Sequence, residues 1–169
     1  MKNKGLTLLE TIIAIFILLV GVIGAFAAFG RTISYNSIIS SRLVAAYLCQ
    51  EGIEIVRNIR DTNWINGRTG DNSWQGVDNC LTGTCCQFQY DDFTSSPYSP
   101  NDYLKIDDNG FYNYISGTDT KFNRKVCVDI NTNSSGEKYL AKVTVTVSWQ
   151  DEGKNYSITA EENLYEWVQ

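Results

Sequence analysis

The sequence predicts an α+β protein: a long N-terminal α-helix, membrane-crossing in its first half and amphipathic in its second, packed on a small antiparallel β-meander. Three observations carry that prediction. Thr11 to Gly30 contains no charged residue, and a run of about 20 such residues at helical rise spans a hydrocarbon core. Beyond it, Ala45, Leu48, Cys49, Gly52, Ile55, Val56 and Ile59 recur at helical spacing, which gathers them on one face. In "KVTVTVSW", Val143, Val145, Val147 and Trp149 alternate with Lys142, Thr144, Thr146 and Ser148, the period of a half-buried strand.

Composition bounds what such a chain can do. With 169 residues, a net charge of -5 and 43% hydrophobic residues, there is room for one modest domain besides the apolar segment. A core that small is completed by a helix laid across it. No basic stripe follows Lys2 and Lys4, so nucleic acid is not an expected partner. The chain has no histidine, which removes imidazole from every catalytic scheme and takes away the commonest zinc ligand. Neither a glycine-rich phosphate loop nor a strand-turn-helix nucleophile is present. Asp91 with Asp92 and Glu161 with Glu162 sit in polar sequence and read as solvated surface. The expectation is a protein that is not an enzyme, with no catalytic residues, cofactor or metal.

At the N-terminus, Lys2 and Lys4 precede the apolar run, so that end should stay cytoplasmic and the chain after Arg31 should lie outside the cytoplasmic membrane. A secretory signal would have a shorter apolar region and a small-x-small cleavage site. "GAFAAFG" offers an A-x-A-like match, but the length of the run favours a spanning helix. Glu10 is the residue that fits worst, because a carboxylate at the edge of a membrane helix is costly and ordinarily has a partner. The plain structural reading is a glutamate that stabilises a helix N-terminus through the macrodipole. Gly21, Gly24 and Gly30 each weaken the helix by up to about 1 kcal/mol relative to alanine; they mark places to bend or melt locally, or close contacts between neighbouring helices.

"KGLTLLE" resembles the class III signal of type IV pilins and pseudopilins: a short basic leader ending in Gly5, a hydrophobic first mature residue at Leu6, and a glutamate at Glu10. The resemblance implies that a prepilin peptidase cuts after Gly5, that the new terminus at Leu6 is N-methylated, and that Glu10 serves assembly. Leu6 stands where many members have Phe or Met, and the proline that many pilins place inside the helix is absent. Cleavage would leave an ammonium group on Leu6, with Glu10 about one helical turn away. A carboxylate in low dielectric is tolerable beside a cation, either the subunit's own amine or that of the next subunit. "YLCQEGIEIVRNIRDTNW" resembles a segment of the minor pilin or pseudopilin subfamily with a strand-rich tail. On this resemblance the chain is a structural subunit of a type IV pilus-like or type II secretion filament. Its partners would be other pilin-like subunits, a prepilin peptidase, an inner-membrane assembly platform and membrane lipid. The alternative is a membrane-anchored extracytoplasmic binding or enzymatic domain with an uncleaved N-terminal helix.

The expected organisation is a leader over 1–5, a transmembrane and assembly half of the helix over 6–30, and an extracytoplasmic domain over 31–169. Within that domain we expect amphipathic helix over 31–60, an irregular region with short strands over 61–123, and the meander over 124–169. A helix from about Leu6 to Arg60 would be on the order of 80 Å long. The irregular region is rich in turn formers, holds Pro97 and Pro100, and carries aromatics from Trp64 to Tyr114 that read as its own packing. "DDNG" fails the EF-hand template, because counting back from Gly110 puts Lys105 at the first ligand position and Ser116 at the last. Asp107 and Asp108 therefore read as a turn, with a loop calcium site of the kind some pseudopilins carry as the alternative. In the meander, Val126, Val128 and Ile130 alternate with Lys125, Cys127 and Asp129, and Tyr156, Ile158 and Ala160 alternate with Ser157 and Thr159. "NSSGEK" and "DEGK" supply the turns between them.

Five cysteines in an extracytoplasmic domain imply disulfides. Cys49 lies on the apolar stripe and reads as a buried free thiol. Cys127 faces away from the helix, where Cys80, Cys85 or Cys86 from the irregular region can reach it. Cys80 with Cys85 or Cys86 is then left for a small local loop. Adjacent Cys85 and Cys86 should not pair, since neighbours give strained bridge geometry. A structural zinc site is the alternative, weakened because Cys85 and Cys86 have no spacer between them. The sequon-shaped triplets at Asn133 and Asn155 read as chance matches.

Overall fold

The computed structural model describes residues 7–68, 72, 74–77, 80, 81, 83–91, 95–132, 134, 136 and 138–165. Gly5 and Leu6 lie outside the described residues, as do Phe93 and Asn133. A single helix, α1 (Leu8–Ile65), opens the described chain. Thr7 starts it: its carbonyl accepts from Thr11 N at 3.2 Å and its hydroxyl oxygen accepts from Glu10 N at 3.3 Å. With Glu10 three residues on, this is the T-x-x-E pattern of a capped N-terminus. The helix runs unbroken through Gly21, Gly24 and Gly30, each with open space where a Cβ would stand.

Helix α1 ends at Ile65, beyond the expected Arg60. Its stop is a Schellman turn: Gly67 takes φ 71, its N–H donates to Trp64 O at 2.9 Å, and Arg68 N–H donates to Asn63 O at 2.9 Å. The apolar stripe fades after Ile59, but the glycine able to adopt the left-handed conformation comes only at 67. Trp64 therefore belongs to the helix and not to the irregular region.

The chain divides within α1 into two compact units, Met1–Ser41 and Arg42–Gln169. In the first, the large apolar side chains from Leu8 to Phe29 are exposed, Leu8 at 78% and Phe26 at 74% among them. That much apolar surface is tolerated only in lipid or against other apolar surfaces.

The second unit is built on a five-stranded antiparallel sheet in the order β2-β1-β6-β7-β8. Its strands are β1 (Cys85–Gln87), β2 (Ser96–Pro97), β6 (Phe122–Thr132), β7 (Lys138–Asp151) and β8 (Lys154–Tyr165). A small sheet, β4-β3-β5, is formed by β3 (Lys105–Ile106), β4 (Tyr112–Asn113) and β5 (Thr118–Asp119). Pairing of Val126 with Val145 and of Val128 with Val143 makes one continuous apolar face. All four are fully buried together with Ala45, Leu48, Cys49, Val56 and Ile59 of α1, which is the expected covering of the meander by the helical stripe. At Gly52 the helix approaches the sheet so closely that an added Cβ would lie 2.9 Å from Val145 Cγ1. The turn "DEGK" pairs Asp151 with Lys154 across Glu152 (φ 48) and Gly153 (φ 75), the doubly left-handed two-residue hairpin.

The irregular region is more ordered than its composition implies. Trp74, Val77 and Leu104 from it enter the core, and the first meander strand begins at Phe122, ahead of the expected 124. "DDNG" is a hairpin turn between β3 and β4: Asp107 Oδ1 accepts from Asn109 N and Phe111 N, each at 2.9 Å, and Gly110 takes φ 88.

Candidate functional site

The N-terminal site begins with the cap. Thr7 fixes the first turn of α1, and that places Glu10 at the third helical position, exposed, in the first turn. Orphan N–H groups and the helix dipole favour a carboxylate there. The residues that follow form a helix long and apolar enough to cross a membrane, with none of its most apolar window buried. Residues 1–26 carry the prokaryotic N-terminal methylation motif. This motif is the class III prepilin signal of type IV pilins, so the chain is type IV pilin-like in its signal and in its long apolar helix. The match covers the leader and the first part of α1; no curated protein and no solved structure matches the chain.

In the second unit of this pilin-like chain the cysteines are placed by strand register. Pairing of β1 with β6 sets Cys85 opposite Cys127, and the two are bonded with Cα atoms 4.4 Å apart. Successive strand residues point to opposite faces, so Cys86 turns inward and bonds Cys80 at a Cα separation of 4.8 Å. Among the three candidates for Cys127, the partner is thus Cys85. With Cys80, Cys85, Cys86 and Cys127 all in disulfides, none of these four thiols is left to ligate zinc. Cys49 is free and buried. Burial pushes its thiol up from the ordinary value, so it stays protonated and unreactive.

Polar groups join α1 to the sheet. Arg124 is fully buried on the apolar face of β6. Its Nη2 donates to Phe88 O at 2.7 Å and its Nη1 to Leu48 O at 3.4 Å, while Glu51 Oε1 lies 3.1 Å from Nη1 without hydrogen-bond alignment. Arg57 bridges Glu54 on α1 and Glu162 on β8, and the bond to Glu162 is the main cause that raises its pKa. Tyr114 donates to Arg124 O at 3.3 Å; burial, outweighing the nearby Arg124 charge, pushes its pKa up to about 12. Arg124 and Arg57 thereby tie the second half of α1 to the sheet.

Sequence reading missed Thr7, Arg124 and Asn123. The T-x-x-E spacing already marks Thr7 as a cap. Arg124 shares strand parity with Val126 and Val128, which places a cation on the core face and asks for a carboxylate opposite. Asn123 carries no such signal, since its role depends on a distant loop folding over it.

Proposed function

We propose that the chain is a minor pilin or pseudopilin, a structural subunit of a type IV pilus-like or type II secretion filament. The observation that supports this best is the methylation motif over residues 1–26, which takes in the capped start of a helix whose apolar side chains from Leu8 to Phe29 are exposed. Prepilin peptidase cuts after Gly5, and the amine released at Leu6 is methylated. That amine, on its own subunit or on the next, pairs with Glu10 in lipid, where an unpaired carboxylate is costly. Pairing between subunits sets the register in which α1 helices pack, and the disulfide-stapled unit is carried outside the cytoplasmic membrane. The pairing charge does not exist before cleavage, so storage in the membrane and assembly are separate states.

Intact-mass measurement of the membrane protein tests the reading. The expected product lacks Met1 to Gly5 and carries one methyl group, and Gly5→Leu leaves full-length unmethylated chain. A wild-type protein that keeps its first five residues would instead be a membrane-anchored domain with an uncleaved helix.

A further inference from the structure

An open cavity of about 380 Å³ lies at the β7–β8 hairpin end of the five-stranded sheet, within the roughly 300–1,000 Å³ typical of small-ligand sites. Register defines its floor. Asn123 stands opposite Ser148, and Gln150 stands opposite Asn155. Val147 and Trp149, which flank Ser148 in sequence, belong to the buried apolar face, so alternation sends Ser148 and Gln150 to the other side of the sheet. One wall is the segment after β2, which brings Tyr98 and Tyr103 over this floor.

The wall is held in place before any ligand arrives. Asn123, only 3% exposed, donates through Nδ2 to Ser99 O at 3.1 Å and to Asp102 O at 2.7 Å. It accepts through Oδ1 from the Tyr98 hydroxyl at 2.8 Å. Gln87 fastens the same segment by donating to Asp102 Oδ2 at 2.6 Å. The floor, in contrast, keeps its hydrogen-bonding capacity: the side chains of Ser148, Gln150 and Asn155 bond no other described residue. Tyr103, 47% exposed, offers a ring to the cavity without being buried by its own fold.

We infer that this cavity binds a neutral saccharide. Uncharged amides and a hydroxyl can each donate or accept, which suits a ring of hydroxyl groups that do both. A phenol ring gives the apolar C–H face of a pyranose a flat, rigid surface with few rotors to immobilise. No charged side chain lines the cavity, and Lys125 beside it stands over the Tyr98 ring, 6.0 Å from its centroid, so an anionic ligand finds no charge on the floor to pair with. A proline-rich peptide would use the tyrosines, but with few N–H groups it would leave the floor's acceptors desolvated and unmatched, at a cost. Saccharide binding goes beyond subunit assembly and does not depend on cleavage or filament formation.

The test is saturation-transfer difference NMR on the full chain in zwitterionic lipid nanodiscs, which avoids sugar-based detergents. The probes are lactose, maltose, cellobiose and diacetylchitobiose, with a neutral proline-rich decapeptide as comparison. At least one disaccharide should receive saturation, and Tyr103→Ala and the pair Gln150→Ala with Asn155→Ala should each cut it at least fivefold with unchanged circular dichroism. Tyr139→Ala, an exposed tyrosine near the opposite end of β7, should leave it intact. No response to any disaccharide, a response that survives the cavity variants, or a response to the peptide alone overturns the inference.

Discussion

Arg124 and Glu51 form an ion pair whose two ends differ in access to water, and that asymmetry can be measured. The Arg124 side chain is 0% exposed and the Glu51 side chain 31% exposed. In Glu51→Leu the guanidinium keeps the Phe88 and Leu48 carbonyls but loses its only carboxylate among the described residues within ion-pair distance. Breaking a buried pair in this way costs about 3–5 kcal/mol, and partial solvent screening at Glu51 trims that to roughly 2–4 kcal/mol. In Arg124→Met the charge leaves the core, Glu51 turns to water, and the main loss is a buried Phe88 carbonyl left without its donor, about 1–3 kcal/mol. Methionine packing offsets part of that. Glu51→Leu should therefore lower the urea midpoint more than Arg124→Met, although the arginine is the residue more deeply buried. Adding Arg124→Met to Glu51→Leu should restore part of the loss, because it removes the stranded cation. Urea unfolding of the full chain in nanodiscs, followed by near-UV circular dichroism, reads these midpoints without screening charge. If Arg124→Met is the worse single variant, or the double variant falls below Glu51→Leu, the account of this pair is wrong.

Glu10→Leu should be cleaved and inserted like wild type, since its partner charge is created by cleavage, yet enter filaments at least tenfold less; equal recovery in a filament pull-down would reduce Glu10 to a helix-end charge. Removing the Cys85–Cys127 bridge, which spans 42 residues, should cost about 4 kcal/mol on the chain-entropy model. Cys80→Ser with Cys86→Ser, spanning 6 residues, should cost about 2 kcal/mol on the same model, and thermal midpoints without reductant give the order. Tyr114 has a folded pKa raised from 10.0 to about 12, so the folded state holds the phenolic proton more tightly. The stability this supplies is fully present below pH 10 and is lost as pH rises toward 12. Wild type should lose more stability than Tyr114→Phe over that window, and parallel alkaline titrations would contradict the assignment.

Much of the fold is carried by local periodicity and so was readable from the chain alone. An uncharged run set behind lysines, a helical stripe ending at Ile59, and alternation through Val143, Val145 and Val147 each encode an element and the face it buries. The methylation motif is equally local, which is why cleavage after Gly5, methylation at Leu6 and an assembly role for Glu10 can be proposed without a structure. The helix terminus was less legible: hydrophobic periodicity reports burial, and α1 outlasts its buried stripe until Gly67 stops it. Composition likewise marked 61–123 as irregular, although it contributes Trp74, Val77 and Leu104 to the core.

Tertiary structure decided whatever depends on which distant residues meet. Spacing left Cys127 with three possible partners, and the β1–β6 register chose Cys85 by placing it directly opposite while turning Cys86 inward to Cys80. Strand parity puts Arg124 on the core face, but only the fold shows that the carboxylate it meets there is Glu51 of α1. Asn123 acquires its function only when the loop from Tyr98 to Asp102 folds over it, so the saccharide cavity has no sequence motif at all. Periodicity fixes which way a side chain points relative to its own backbone. What that side chain then meets depends on long-range closure, and a local pattern cannot encode it.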